Sequence, residues 1–307
     1  MESASDRPLQ GKIAVVTGAT RGCGRGIAVE LGAAGATVYC TGRSSRTVKC
    51  DVTPLPNGTT GRPETIEKTA ELVEAAGGRG IPVRVDHTKP EQVEALFERI
   101  KEEQQGRLDI LVNDIWGGDE LTEWDTPFWK QSLEKGLALL ERAIHTHIIT
   151  NRYGVPLMVA QGNGIVFEIT DGDDLHYRDT LFYDLAKVTV IRLALAMDKD
   201  FKARNIPITS VAVTPGWLRS EVMLDLFGVT EETWRDAVPE RPAFAYSETP
   251  RYLGRAIVAL CKDPDIEAKA GDREKALSTW TLSRVYNFRD VDGRQPHWGD
   301  QCEGLPE

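Results

Sequence analysis

Positive charge is what this 307-residue chain is short of. Lys and Arg number 37 against 47 Asp and Glu, a formal net charge of −10. Nucleic acids and anionic membrane surfaces are held by basic patches, so both partner classes are set aside. No apolar run reaches the roughly 20 residues of a membrane-spanning helix, and none near the start has the make-up of a secretory signal. Met1 to Arg7 is polar and reads as a loose tail. Cysteine is sparse and scattered: Cys23, Cys40, Cys50, Cys261 and Cys302, with no Cys-x-x-Cys pair. That pattern excludes a disulfide framework and fits a reducing, cytoplasmic compartment. No metal site is expected. His145 and His147 are two apart and point in different directions on a helix, and neither a His-Glu-x-x-His run nor an EF-hand loop occurs. With no internal repeat, low-complexity tract or interdomain linker, the expectation is one domain over 8–293 with a tail over 294–307.

What the chain does have is glycine in a telling place. Ile13-Ala14-Val15-Val16 reads as a strand buried on both faces. Thr17-Gly18-Ala19-Thr20-Arg21-Gly22-Cys23-Gly24 then forms a tight turn, and Ile27, Ala28, Val29 and Leu31 recur as one side of a helix. Missing side chains let phosphate oxygens reach backbone N–H groups, and the helix dipole favours negative charge there. Strand, turn and helix in this order mark a dinucleotide site. Gly18, Thr20, Arg21, Gly22, Cys23 and Gly24 are its candidate residues. Cys23 also reads as a small packing residue.

Downstream, strands alternate with helices. Ala36 to Thr41 is a second strand whose tip carries Gly42, Arg43, Ser44 and Ser45 and no acid. A carboxylate at that tip grips the ribose 2′-OH of NAD, whereas an Arg accommodates the 2′-phosphate of NADP. Arg43, with Arg21 and Arg25 nearby, favours NADP(H), with NAD(H) as the alternative. Ser44 to Pro63 is a surface insertion, either a cover for the cofactor or an ordinary loop. Helix Thr65 to Ala76, strand Ile81 to Val85 and a helix from Pro90 follow. Asp86 and His87 at the strand end read as an adenine contact, or Asp86 as a helix cap. Leu108 to Asn113 is a fourth strand and Thr126 to Met158 is helical. Gly164 to Thr170 is a fifth strand, Leu181 to Ala203 a helix, and Ile208 to Val213 a sixth strand. Glu221 to Ala245 suggests mobile helices over a cleft. Tyr252 to Leu260 is another helix, and Leu277 to Trp280 a short last strand. The alternation predicts an α/β fold with a doubly wound parallel sheet and ligands at the strands' carboxyl ends.

Tyr183 and Lys187, four apart, share one side of their helix. A nearby ammonium favours phenolate and lets a tyrosine work as acid or base near neutral pH. Thr170, ending the preceding strand, is placed to hold the same substrate oxygen. Spacing of this kind also arises by chance on many helices.

These motifs together resemble those of the short-chain dehydrogenase/reductase family. The resemblance runs from Lys12 to about Gly293 and rests on the glycine turn, Asn113, Tyr183-Asp184-Leu185-Ala186-Lys187, and Pro215-Gly216 with Ser220. The stretch Ala256 to Gly293 is similar to an animal subgroup of that family, dehydrogenase/reductase member one. The resemblance implies a Rossmann-type sheet of about seven strands and hydride transfer between NADP(H) and a carbonyl or alcohol carbon. Tyr183 would exchange the proton, and Lys187 would lower its pKa and bind the nicotinamide ribose. Pro215, Gly216 and Ser220 would hold the carboxamide end, and Asp86 and Asn113 would lie along the adenosine and ribose. It also implies a homo-oligomer built on the helices flanking strand five.

Three departures stand out. Asn113-Asp114-Ile115-Trp116 replaces the family's Asn-Asn-Ala-Gly. The substrate-orienting serine becomes Thr170, by distance from the tyrosine, or Asp171, by strand motif; Thr170, which keeps a hydroxyl, is preferred. The helix asparagine of the proton relay has no clear match in Ala138 to His147. Trp116, Trp217, Leu218, Met223 and Phe227 either line an apolar substrate mouth or pack the loop. The rival functions are a non-catalytic NADP(H) sensor and a dehydratase or epimerase on the same fold.

Overall fold

A computed structural model describes residues 7–48, 61–269 and 274–302. Most of the Ser44 to Pro63 insertion therefore lies outside the described residues. At the centre is a seven-stranded sheet in the order β3-β2-β1-β4-β5-β6-β7. The strands are β1 (Ile13–Val16), β2 (Thr37–Gly42), β3 (Arg79–Arg84), β4 (Ile110–Asn113), β5 (Gly164–Ile169), β6 (Ile208–Thr214) and β7 (Leu277–Ser278). Every neighbouring pair is parallel. The central strands carry the apolar runs because helices cover both faces: all four residues of β1 and all seven of β6 are buried.

The helices that position the site are α1 (Gly22–Ala33), α2 (Ile66–Ala75), α3 (Pro90–Glu103), α4 (Leu133–Leu140), α5 (Thr146–Gln161), α6 (Leu181–Ala203) and α7 (Glu221–Leu226). Then come α8 (Pro250–Lys262), α9 (Ile266–Lys269) and α10 (Thr279–Tyr286). A single wide π turn, Glu141–His145, joins α4 to α5. One apolar core lies between the sheet and α1, α2, α8 and α10, around Ile27, Leu31, Leu253 and Ile257. A second lies under α3 and α5, around Phe97, Leu111 and Met158.

Sheet order reverses between β1 and β4, and that switch point opens a crevice at the carboxyl ends, where open α/β sheets bind ligands. The predicted last strand is cut short. Only Leu277 and Ser278 pair with β6, and Thr279 already begins α10. Thr279 turns its hydroxyl inward onto Glu248 Oε2 at 2.7 Å instead of extending the ladder. The first residues of the expected tail are tied to the domain: Gln295 Nε2 donates to the Ser283 and Phe288 carbonyls, and Arg294 Nη2 to that of Ser247. Among the described residues, no helix is long and apolar enough to cross a membrane.

Candidate active site

The glycine turn closes against the end of β4. Gly18 has φ +69°, and a Cβ there would lie 2.2 Å from the Asp114 carbonyl oxygen. A side chain at Gly24 would meet the Gly18 carbonyl at 2.5 Å. The turn can therefore form only without side chains at these positions. Its open side is filled by an acid from across the crevice. The Gly22 N–H donates to Glu221 Oε2 at 2.8 Å, and Arg25 Nη1 donates to Glu221 Oε1 at 3.0 Å. Arg25 is braced by its Nη2 bond to the Thr20 carbonyl. A second acid on α7, Asp225, pairs with Arg62 at 2.9 Å, and Arg62 also pairs with Glu64.

A carboxylate held by a helix-start N–H and a guanidinium uses the same donors that a phosphate oxygen uses. Glu221 thus stands in for an anion, and the turn fits the pyrophosphate of a dinucleotide. Arg43, on the other rim, accepts at its backbone carbonyl from Arg84 Nε. The tip of its side chain lies beside Gly117, and its charge acts on Asp86.

Deeper in the crevice, Tyr183 and Lys187 occupy the first turns of α6. Lys187 Nζ is 5.2 Å from the Tyr183 ring centroid and 4.0 Å from that of Trp116. The Tyr183 ring touches Trp116 edge-on at 5.2 Å and Trp124 at 5.1 Å. Its hydroxyl donates to Asp171 Oδ2 at 2.5 Å. Burial, reinforced by the Asp171 charge, drives the phenol well above its ordinary range. The expected depression by a neighbouring ammonium is thus overridden, first by burial and then by the Asp171 charge. Burial lowers Lys187, against the pull of Asp171 and Asp114. Burial pushes Asp114 up to about 7, opposed by Lys187 and His147 and by the Gly24 N–H on its carboxylate.

Behind this pair lies a buried polar network. Glu168 Oε1 accepts from Asn113 Nδ2 at 2.9 Å and Asn151 Nδ2 at 2.6 Å. Glu168 Oε2 meets His147 Nδ1 at 2.6 Å, and His147 Nε2 meets the Ile115 carbonyl at 3.0 Å. Both ring nitrogens are engaged, so the ring is held at both ends. The network fixes the backbone just before Trp116. His147 therefore has a structural role that its spacing to His145 gave no hint of.

On the far side, Trp298 packs on Gly216, where a Cβ would lie 2.7 Å from the Trp298 Cβ. Glu248 is beside it, and burial raises its carboxyl to about 8 despite bonds from Thr279 and the Gly216 N–H. Fully buried Arg219 ties this region together. Its Nη2 is 2.9 Å from Glu231, 3.3 Å from Asp292 and 3.6 Å from Asp290, and its Nη1 donates to the Ser247 carbonyl.

Several sequence assignments change in this light. Thr170 does not face the phenol: its hydroxyl donates to the Lys187 carbonyl at 2.7 Å, and the next residue, Asp171, meets Tyr183. Adjacent residues at a strand end point to opposite sides, so only one of the two reaches the crevice. His87 turns inward instead of standing exposed at the strand end. It is buried between the hydroxyls of Thr41 and Thr150, each at 2.8 Å, and burial drops its pKa to about 3. Asp86 accepts from Thr88 N–H and Oγ1 in the turn ahead of α3; it does not cap that helix, whose N-cap position is Lys89 with no side-chain cap bond. Asn113 Nδ2 donates inside the sheet to Asn151 and Glu168. Ser220 caps α7 by accepting from the Met223 N–H. Trp217, Met223 and Phe227 pack with Trp234 and Phe244 in a separate cluster, so they fill the loop, while Trp116 alone of that set stands at the Tyr183 ring.

Comparison with known proteins agrees with the layout. Residues 18–266 match the family described as Enoyl-(Acyl carrier protein) reductase. Dehydrogenase/reductase SDR family member 1 of Mus musculus is 33% identical over 291 residues, 94% of this chain and 85% of that protein. Its Homo sapiens namesake gives the same identity and coverage. A short chain dehydrogenase structure from Mycobacterium thermoresistibile superposes with TM-score 0.72 at 21% identity, covering 95% of this chain and 92% of that one. Fold and site define a nicotinamide-dependent oxidoreductase of the doubly wound class. The chain belongs to the short-chain dehydrogenase/reductase family.

Proposed function

We propose that this chain interconverts an alcohol and a carbonyl compound using NADP(H), with Tyr183 as the acid/base. The observation that carries this reading is the meeting of phenol and ammonium in the switch-point crevice. There the Lys187 ammonium lies 5.2 Å from the Tyr183 ring centroid, with the Asp114 carboxyl close enough to act on it. When bound, the dinucleotide supplies or accepts the hydride. The chain's own residues do the rest. The Gly22 N–H and Arg25 exchange Glu221 for phosphate oxygens. Arg43, Ser44 and Ser45 surround the 2′-phosphate, which sets NADP(H) above NAD(H). Lys187 takes the nicotinamide ribose hydroxyls, and Gly216 and Ser220 hold the carboxamide end. Tyr183 passes a proton to or from the substrate oxygen, and the rings of Trp116 and Trp124 exclude water around it. Exposed Leu133, Leu137, Ile148 and Leu185 on α4 to α6 support association of two or more copies through that flank.

The experiment is Tyr183→Phe assayed on a panel of aldehydes, ketones and alcohols with both cofactors. Turnover should fall about 100-fold or more while NADPH still binds, as expected for loss of a general acid. Unchanged turnover removes Tyr183 from the reaction. Substrate conversion without change in NADPH absorbance would instead indicate a dehydratase or epimerase.

A further inference from the structure

Among the described residues, the Tyr183 hydroxyl has one hydrogen-bond partner, the Asp171 carboxylate at 2.5 Å. A phenol that gives its proton to a carboxylate at this separation forms a charge-assisted bond, among the strongest a protein makes. The neighbouring hydroxyl that would offer a neutral donor, Thr170, is committed to the Lys187 carbonyl. The strand end therefore presents a proton acceptor to the phenol where a hydroxyl donor was expected. We propose that Asp171 is a catalytic residue and the terminal holder of the reaction's proton, with Tyr183 passing that proton between Asp171 and the substrate oxygen. The proposal rests on the reading of Tyr183 as the acid/base group.

In alcohol oxidation the substrate O–H bond breaks and its proton goes to the Tyr183 oxygen. The Tyr183 O–H bond breaks at the same time, and its proton forms an O–H bond on Asp171 Oδ2. The electron pair of the substrate C–H bond leaves with its hydrogen as hydride to the oxidised nicotinamide, and the carbon–oxygen bond becomes double. Carbonyl reduction runs the same bonds backward and starts from Asp171 as the carboxylic acid and from reduced nicotinamide. Asp171 is only partly buried, so water can load and unload it between turnovers.

The surroundings suit this division. Trp116 and Trp124 wall the phenol. Gly172 anchors the Asp171 backbone by donating its N–H to Thr214 Oγ1 at 2.8 Å. The titratable groups facing the pair are Lys187 on α6, Arg178 on the loop before it, Asp119 and, beyond Lys187, Asp114 on the stretch after β4, and the Cys23 thiol at the start of α1, which burial pushes up and keeps neutral. Burial and the Asp171 charge both hold the phenol protonated, so Tyr183 alone is a poor base and needs an acceptor for its proton.

The test compares wild type with Asp171→Asn, which keeps the side chain's size but cannot take the proton. Microscopic reversibility makes any loss in kcat/KM equal in the two directions at one pH, so the pH profile is the diagnostic. With benzyl alcohol and NADP, and benzaldehyde and NADPH, Asp171→Asn should lose roughly 100-fold at pH 7. The loss should shrink by about tenfold per pH unit toward pH 9, as phenolate forms without help. Asp171→Glu should recover part of the rate. An independent readout needs no turnover: NMR of protein labelled at the tyrosine Cζ, with the Tyr183 signal assigned through Tyr183→Phe. Removing the carboxylate should lower the ionisation of Tyr183 by about one pH unit or more. An Asp171→Asn enzyme within threefold of wild type at pH 7 overturns the proposal. So does a loss that stays constant from pH 6 to 9 with the phenol's ionisation unmoved, which is the mark of a purely structural role. If the benzyl couple turns over too slowly to follow, the labelled tyrosine decides alone, and an ionisation that stays put overturns it. Where Asp171→Asn does not fold, Asp171→Ser takes its place in every arm. A Tyr183→Phe enzyme that stays fully active would instead sink the underlying reading.

Discussion

Glu221→Gln is expected to tighten NADPH binding about tenfold. In the structure the Glu221 carboxylate occupies the donors proposed for the phosphates, held by the Gly22 N–H at 2.8 Å and by Arg25 at 3.0 Å. A cofactor must displace it before its own phosphates can bind. Hydrogen bonds to charged groups are worth about 1.5–3 kcal/mol, and neutral ones about 0.5–1.5. Neutralising Glu221 thus weakens each contact by about 1 kcal/mol. The two side chains are 18% and 28% exposed, so water screens part of that. A net of about 1.4 kcal/mol remains, a factor of ten in dissociation constant. The assay is NADPH titration followed by calorimetry, with urea unfolding of the cofactor-free protein beside it. The variant should bind tighter and, without cofactor, unfold at lower urea. Affinity within twofold of wild type, or weaker, would refute the idea that Glu221 competes with phosphate.

The remaining expectations follow from single contacts. Arg43→Asp should weaken NADPH by far more than NADH; equal effects would remove Arg43 from the 2′-phosphate. Arg219→Leu leaves Asp290 buried without its counter-charge, and should cost about 3–5 kcal/mol in urea unfolding. A loss under 1 kcal/mol would show that the acids there need no cation. His87 is buried and neutral, with its pKa lowered to about 3 by burial. Its folded value lies below the unfolded one, so its contribution is complete above about pH 6.5 and is lost as pH falls. Below pH 6.5 it should remove about 1.4 kcal/mol per pH unit, and His87→Gln should flatten that acid limb in urea midpoints taken between pH 7 and 5. Parallel limbs in the two proteins would contradict its burial as a neutral ring.

The elements were legible because their signals are local. Ile13 to Val16 announces a doubly buried strand, and Gly18 to Gly24 the turn that must follow it, within a dozen residues. That Tyr183 and Lys187 share one side of their helix needed only helical spacing; their chemistry needed the other motifs beside it. What remained hidden depends on partners far away in sequence. Glu221 meets Gly22 across 199 residues, and no pattern near either residue encodes the pairing. Thr170 and Asp171 are neighbours that differ only in which side of the strand end they face, a choice set by the pairing of Thr170 N–H with the Val213 carbonyl. The histidines show the same limit. His87 and His147 carry no sign in sequence that Thr41, Thr150 and Glu168 will enclose them.

The arginine pin at Arg219 has a practical corollary for anyone recombining this scaffold. Because it clasps Glu231, Asp290 and Asp292 at once, and because Trp298 wedges onto Gly216, the crossover after β6 and the closing stretch of the chain behave as one mechanical part. Chimaeras that graft a relative's 216–248 segment while keeping residues 279–299 would mate mismatched halves of a clasp. Breakpoints placed so that both pieces travel together are the ones that should yield folded hybrids.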